Sequence, residues 1–200
     1  TNLHQRRIPT AWPLCAIERR VGLFLKESIL VSEKLSESHT VEGVFTQSLL
    51  INGLYNRAHF FMHLGTLFGN LHHKRMVHRD SKASNIMVRY APGNTIRFEF
   101  IDLDGMRPMV FKTSHYEHFA LKRFLFSIMR YSKLISSTDI VRLFKAYLVA
   151  AKENGCNDRN ARKMFINTMR ADVAAYALKK QEITRSATLS ENVSDSIAKR

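Results

Sequence analysis

Apolar positions along this chain first recur without a helical period and then settle into one. Residues 7–35 carry Pro9, Pro13 and Gly22, which break any helical run. The expectation there is extended structure: an entry at Arg7-Ile8-Pro9-Thr10, strands over residues 13–18 and 22–27, and a third strand or exit over 28–35. From Val41 the spacing becomes helical. Val44, Phe45, Leu49 and Leu50 share one face, and Phe60, Phe61, Leu64, Leu67, Phe68 and Leu71 form a stronger stripe that stops just before Val77-His78. Residues 86–90 and 95–101 then read as a β-hairpin across Ala91-Pro92-Gly93-Asn94. Beyond Gly105 the helical period returns over 118–134. A further helix over 140–152 is expected, capped by Asp139 and ended by Gly155, then another over 160–180 and a mobile polar tail over 184–200.

The segment between the long helix and the hairpin carries the chemistry. It reads His78-Arg79-Asp80-Ser81-Lys82-Ala83-Ser84-Asn85, and Ile101-Asp102-Leu103-Asp104-Gly105 follows the hairpin. Transfer of a nucleotide γ-phosphate needs a carboxylate near the acceptor hydroxyl, a cation on the moving group, and oxygen ligands holding magnesium against the phosphates. An H-R-D-x-x-x-x-N loop supplies the carboxylate and, five positions on, an amide oxygen for the metal. Asp80 and Asn85 have that offset, Lys82 can reach the γ-phosphate, and Asp102 closes the second hairpin strand where another magnesium ligand belongs. Asp104 is a second metal candidate, because Asp104-Gly105 imitates the end of an Asp-Phe-Gly motif. His78 is expected to brace the loop rather than to move protons.

Charge widens the set of partners and cysteine usage narrows the setting. The 200 residues hold 31 Lys and Arg against 17 acidic residues, a net +14, which favours polyanions. That charge is spread along the chain with no basic block interleaved with aromatics, so no nucleic-acid partner is expected. An anionic membrane face or a phosphorylated glycolipid suits it equally. Cys15 and Cys156 lie far apart and form no C-x-x-C pair, so neither a zinc site nor a disulfide framework is suggested, and a cytoplasmic setting is the simpler expectation. No run approaches the roughly 18 apolar residues of a membrane span, and the N-terminus has no signal-peptide pattern. Any contact with a membrane is therefore expected to be peripheral.

These residues resemble the protein-kinase-like superfamily and, within it, the bacterial lipopolysaccharide kinase (Kdo kinase) family. Arg7-Ile8-Pro9-Thr10-Ala11-Trp12-Pro13-Leu14, Glu18-Arg19-Arg20 and Ser28-Ile29-Leu30-Val31-Ser32-Glu33 look like that family's GIPTPxPL, ERR and SYLVTE stretches. With the catalytic loop and Ile101 to Asp104, the likeness covers about the first 110 residues. It implies an α+β, protein-kinase-like fold: a partial small lobe and hinge over 1–35, a mainly helical large lobe over 36–183, and the tail. It also implies ATP-dependent phosphorylation of a sugar hydroxyl in the lipopolysaccharide inner core, at the cytoplasmic face of the inner membrane. Asp80 becomes the catalytic base, Lys82 the γ-phosphate contact, Asn85 and Asp102 the Mg2+ ligands, and the backbone of Val31, Ser32 and Glu33 the adenine contact.

Two departures qualify the likeness. No glycine-rich phosphate loop and no strand Lys with a partner Glu precede the hinge, and the chain starts at Thr1. The first part of the small lobe is thus expected to be absent and this stretch alone to be a poor catalyst; a pseudokinase or binding module stays open beside the active enzyme. Only about a dozen residues separate Gly105 from the helix near His118, without Ala-Pro-Glu, which favours a glycolipid acceptor over a protein one. A bacterial serine/threonine protein kinase-like enzyme, which Lys82 would suit, is the other alternative. His59 and His63 have a metal-ligand spacing but lack the glutamate of H-E-x-x-H and read as structural. His72 and His73 end the same helix, where a cation suits the dipole, and read as structural too. Arg107 reads equally as a surface residue or an acceptor-anion contact, and the basic stripe from Lys122 to Lys133 as the solvated side of a packed helix, a lipid-facing surface or a grip on a phosphorylated sugar.

Overall fold

A computed structural model of the protein describes residues 2–91, 95–109 and 114–152. The expected helix over 160–180, the tail, Gly155 and the Pro92-Gly93-Asn94 turn lie outside the described residues. The architecture is α+β. In order it runs α1 (Asn2–Gln5), β1 (Pro13–Val21), β2 (Phe24–Ser32), β3 (His39–Thr40), α2 (Val41–Thr46), α3 (Arg57–His73), β4 (Met76–His78), β5 (Ile86–Ala91), β6 (Thr95–Phe100), β7 (Met106–Pro108), α4 (Ser114–Met129) and α5 (Ser137–Lys152).

The three short strands expected over 13–35 are instead two strands of nine residues each, paired antiparallel with Val21 opposite Phe24. Gly22, placed by the sequence at the start of a strand, is the turn itself. Its φ of 59° is the left-handed conformation that a two-residue hairpin loop requires and glycine adopts without penalty. The hairpin stands with large apolar side chains in solvent; Leu23 is 94% and Phe24 76% exposed. β3, β5 and β6 make a second small sheet, and β4 pairs with β7 in a third.

Helix α3 organises the core. Asn56 caps it by accepting the N–H of His59 at 3.0 Å, and its buried face holds Phe60, Phe61, Leu64, Leu67, Phe68 and Leu71. Phe60 meets Phe98 of β6 at 5.2 Å between ring centroids, while Phe68 meets Phe100 at 5.9 Å and Phe124 of α4 at 4.9 Å. Aromatic burial of this kind contributes both area and edge-to-face geometry. It fixes the end of β6, and therefore Asp102, relative to the helix that leads into the His78 to Asn85 loop.

Helices α3 and α5 meet backbone to backbone. A Cβ added at Gly65 would lie 2.1 Å from the carbonyl oxygen of Leu143, and one at Gly69 would lie 2.6 Å from that of Tyr147. Both obstacles are backbone, so no rotamer relieves them. Gly65→Ala is expected to force the helices apart and lower stability by about 1–3 kcal/mol, against a helix-propensity gain of about 1 kcal/mol. The urea midpoint should fall while helical circular dichroism is kept; an unchanged midpoint would show that the crossing can widen freely.

Two helix-end expectations are corrected. His72 is no cation for the dipole: it is buried, its Nδ1 lies 3.0 Å from Tyr147 Oη on α5, and desolvation lowers its pKa to about 3. α5 covers the last turn of α3, so a charge there would be stranded from water. Asp139 is not the N-cap of α5 either. Ser136 occupies that place: Asp139 N–H donates to Ser136 Oγ at 3.3 Å, and Asp139 Oδ2 accepts the Ser136 N–H at 2.8 Å, a reciprocal capping box.

Candidate active site

Three segments build the site. The loop after β4 enters through His78, which is buried and whose ring is held on both sides. Its Nδ1 accepts the Asp80 N–H at 3.2 Å, so Nε2 carries the proton toward Ile101 O, also at 3.2 Å. Burial pushes the His78 pKa down, against the opposing pull of the Ile101 carbonyl and the Asp102 and Asp80 carboxylates. A neutral ring that stitches the loop to the strand end is a brace, as the sequence suggested.

The strand end comes from β6. Ile101 N–H donates to Asn85 O at 3.0 Å, and Arg79 N–H to Gly105 O at 2.8 Å. Asp102 is left-handed at φ 55°, a conformation aspartate tolerates better than most residues and one that concentrates at functional sites. Gly105 backs onto the loop, where a Cβ would come within 2.8 Å of His78 Nδ1 and 3.0 Å of the Asp80 nitrogen. Only glycine permits that contact.

The side chains converge. Lys82 Nζ lies 2.7 Å from Asp80 Oδ2. Asn85 Nδ2 donates to Asp80 O at 2.9 Å and reaches Asp80 Oδ2 and Asp102 Oδ2, each at 3.2 Å. Asp104 is exposed and has no hydrogen bond or ion pair among the described residues. The hydrogen bond from Lys82 foremost, with those of Arg123, holds the Asp80 carboxyl below its ordinary range against the opposing effect of desolvation.

The third segment is α4, and its part was not read from the sequence. Ala120 O accepts Ser81 Oγ–H at 2.5 Å, Ser127 Oγ accepts the Ala83 N–H at 2.9 Å, and between them Arg123 grips Asp80 Oδ1 with Nε at 2.9 Å and Nη2 at 2.6 Å. Positions 120, 123 and 127 share one helix face. That spacing was visible, but nothing local said that the face meets a loop some 40 residues earlier. Within the basic stripe Arg123 is engaged by Asp80 and Arg130 by Glu42 at 3.1 Å, both side chains staying partly in solvent.

Val31, Ser32 and Glu33 lie elsewhere, at the end of the exposed hairpin. Glu33 Oε1 accepts the Trp12 N–H at 3.0 Å and lines a surface cleft of about 320 Å³ with Trp12, Arg89, Arg97 and Glu99. None of Asp80, Lys82, Asn85 or Asp102 lines that cleft. Arg107 is exposed and donates to the carbonyl of Met106 at 2.9 Å.

Comparison with known proteins adds two findings. A family model described as the lipopolysaccharide kinase (Kdo/WaaP) family matches residues 1–147. A solved structure titled "WaaP in complex with acyl carrier protein" has a similar fold, with a TM-score of 0.63 at 17% identity over 87% of this chain and 72% of that one. No curated protein matches the chain.

Proposed function

We propose, from the premise that this chain belongs to the lipopolysaccharide kinase (Kdo/WaaP) family, that it transfers the γ-phosphate of ATP to a sugar hydroxyl of the lipopolysaccharide inner core. Membership makes it a kinase, a phosphotransferase with an alcohol group as acceptor. The observation that supports the finer reading is the convergence of Asp80, Lys82, Asn85 and Asp102 through contacts of 2.7 to 3.2 Å.

In this reading Asp80 accepts the proton of the acceptor hydroxyl while the hydroxyl oxygen bonds to the γ-phosphorus. The bond from that phosphorus to the bridging oxygen breaks, and ADP leaves with the electron pair. Lys82 leaves Asp80 for the γ-phosphate and offsets its charge. Magnesium, when bound, neutralises charge on the phosphate oxygens. Asn85 and Asp102 fit it: both offer oxygen, the ligand a hard cation prefers. The Asn85 amide nitrogen now stands between two carboxylates, where a cation is favourable, and turning the amide over would present its oxygen instead. Asp104, without a contact to this group, is the weaker candidate.

Residues 1–35 serve the adenine side, with the backbone of Val31 to Glu33 as hinge, and the helical body carries the loop. No helix among the described residues is long and apolar enough to cross a membrane. A lipid-anchored acceptor then places the protein peripherally on the cytoplasmic face, where its net +14 suits anionic headgroups.

The test is transfer of radiolabel from γ-labelled ATP by the purified full chain, offered lipopolysaccharide and a protein mixture. Label is expected on the glycolipid; label confined to protein would overturn the acceptor assignment, and no label on either would favour a binding module. Asp102→Ala should weaken ATP binding on the order of tenfold with magnesium, the loss of one charge-assisted contact of about 1.5 kcal/mol. In EDTA it should change nothing. The same loss from Asp104→Ala alone would move the ligand to Asp104.

A further inference from the structure

The catalytic-loop carboxylate is fully occupied. A carboxylate offers about four lone-pair sites. Arg123 takes Oδ1 through two nitrogens at 2.6 and 2.9 Å, and Lys82 and Asn85 take Oδ2 at 2.7 and 3.2 Å. When nucleotide and magnesium draw off Lys82 and the Asn85 amide, Oδ2 comes free, but Oδ1 stays held by Arg123, whose positive charge keeps the carboxylate a weak base. Lys82 has a reason to go, because the γ-phosphate is a stronger anionic partner than a single carboxylate. Arg123 has none in the nucleotide, since it approaches Asp80 from α4 and at the other oxygen.

The geometry points to Arg123 as an acceptor-sensing residue: it leaves Asp80 for an oxyanion, carboxylate or phosphate, on the acceptor sugar, and so couples acceptor recognition to release of the base. This rests on the kinase reading above. The side chain is suited to the exchange. It is 44% exposed, so its departure exposes no buried charge, and its planar fork matches carboxylate and phosphate two nitrogens at a time. Its backbone is fixed, because the flanking contacts of Ala120 with Ser81 and Ser127 with Ala83 tie α4 to the loop independently of Arg123. Leu121, Phe124 and Leu125 anchor the opposite face in the core. The guanidinium can therefore swing while the loop stays in place.

The consequence is a specificity that a purely structural clamp would not give. Core oligosaccharide released from lipopolysaccharide would be offered to the full chain in three forms: intact, dephosphorylated, and carboxyl-reduced. The wild type should prefer the intact form, and whichever treatment removes the preference identifies the anion. Arg123→Ala should raise KM for the intact form on the order of tenfold, bring the three forms together, and raise ATP hydrolysis without acceptor because Asp80 is unlatched. Arg123→Lys, which keeps the charge without the fork, should fall between, and serves if the alanine variant folds poorly by thermal unfolding. A variant that loses kcat but keeps the wild-type preference and low basal hydrolysis would overturn the latch and leave Arg123 as a clamp. A wild type that phosphorylates no form of the oligosaccharide would overturn the kinase reading and the latch with it.

Discussion

Asp80→Ala is expected to lower kcat by about 10²- to 10⁴-fold, the usual worth of a positioned general base, while ATP affinity stays nearly unchanged. The two halves follow from different contacts. The proton acceptor disappears, yet the groups assigned to nucleotide and magnesium, Lys82, Asn85 and Asp102, all remain. Folding should survive as well, because the partners left behind are in water: Lys82 is 45% and Arg123 44% exposed at the side chain. Freed Lys82 could even hold the γ-phosphate slightly better. Single-turnover transfer and ATP titration on the same preparation give the two numbers. Turnover within a few-fold of wild type would remove Asp80 from the role of base, and a parallel loss of ATP affinity would make it part of the nucleotide site.

The largest effect on stability is expected far from that carboxylate. Arg57 opens α3 and meets Asp139 in the first turn of α5, with Nε at 3.1 and 3.0 Å from the two carboxylate oxygens and Nη2 at 2.6 Å; Nη2 also donates to Leu134 O at 2.5 Å. The Asp139 side chain is fully buried, whereas that of Arg57 is 35% exposed. Arg57→Ala leaves a buried carboxylate with only Ser136 and the longer 3.4 Å contact of Arg142. Breaking such a pair costs about 3–5 kcal/mol, and partial exposure of Arg57 places the loss near the lower end. Burial alone would raise the Asp139 pKa, but hydrogen bonds from Arg57 and Ser136 outweigh it and hold the group below 3.8. A depressed folded pKa stabilises above the unfolded value and ceases to as pH falls through the folded one. Without Arg57 the folded pKa of Asp139 rises, so urea denaturation should show the full deficit of the variant at neutral pH and a deficit that narrows as pH falls through the variant's raised pKa toward the depressed one of the wild type. An equal deficit throughout that acid range would trace the loss to packing instead.

How far the sequence could be read depended on how local each relation was. The convergence within the His78 to Asn85 loop and the hairpin after it were legible, because they lie in offsets of two to five residues and in a strand pair joined by a short turn. The long helix was legible from its apolar period. Where the chain was misread, the deciding partner was distant or the local signal had two meanings. Gly22 can begin a strand or turn one, and only the pairing of Val21 with Phe24 selects the turn. Ser136 and Asp139 both cap helices, and the reciprocal bonds decide their order. His72 has the sequence position of a dipole-compensating cation, but α5 covers it. Arg123 was one of several basic residues between apolar ones, and nothing near it in the chain foretold Asp80.

The crossing of α3 over α5 has a consequence for recognising this fold in other chains. With helix backbones meeting at Gly65 and Gly69, a chain that keeps this crossing loses stability with any larger residue at either of two positions one helical turn apart, whatever its acceptor. Such a pair, lying about ten residues ahead of the His-Arg-Asp loop, is a signature set by geometry rather than by chemistry. Because it is set by helix packing, it does not depend on whether the carboxylate of Asp80 acts in the chemistry at all.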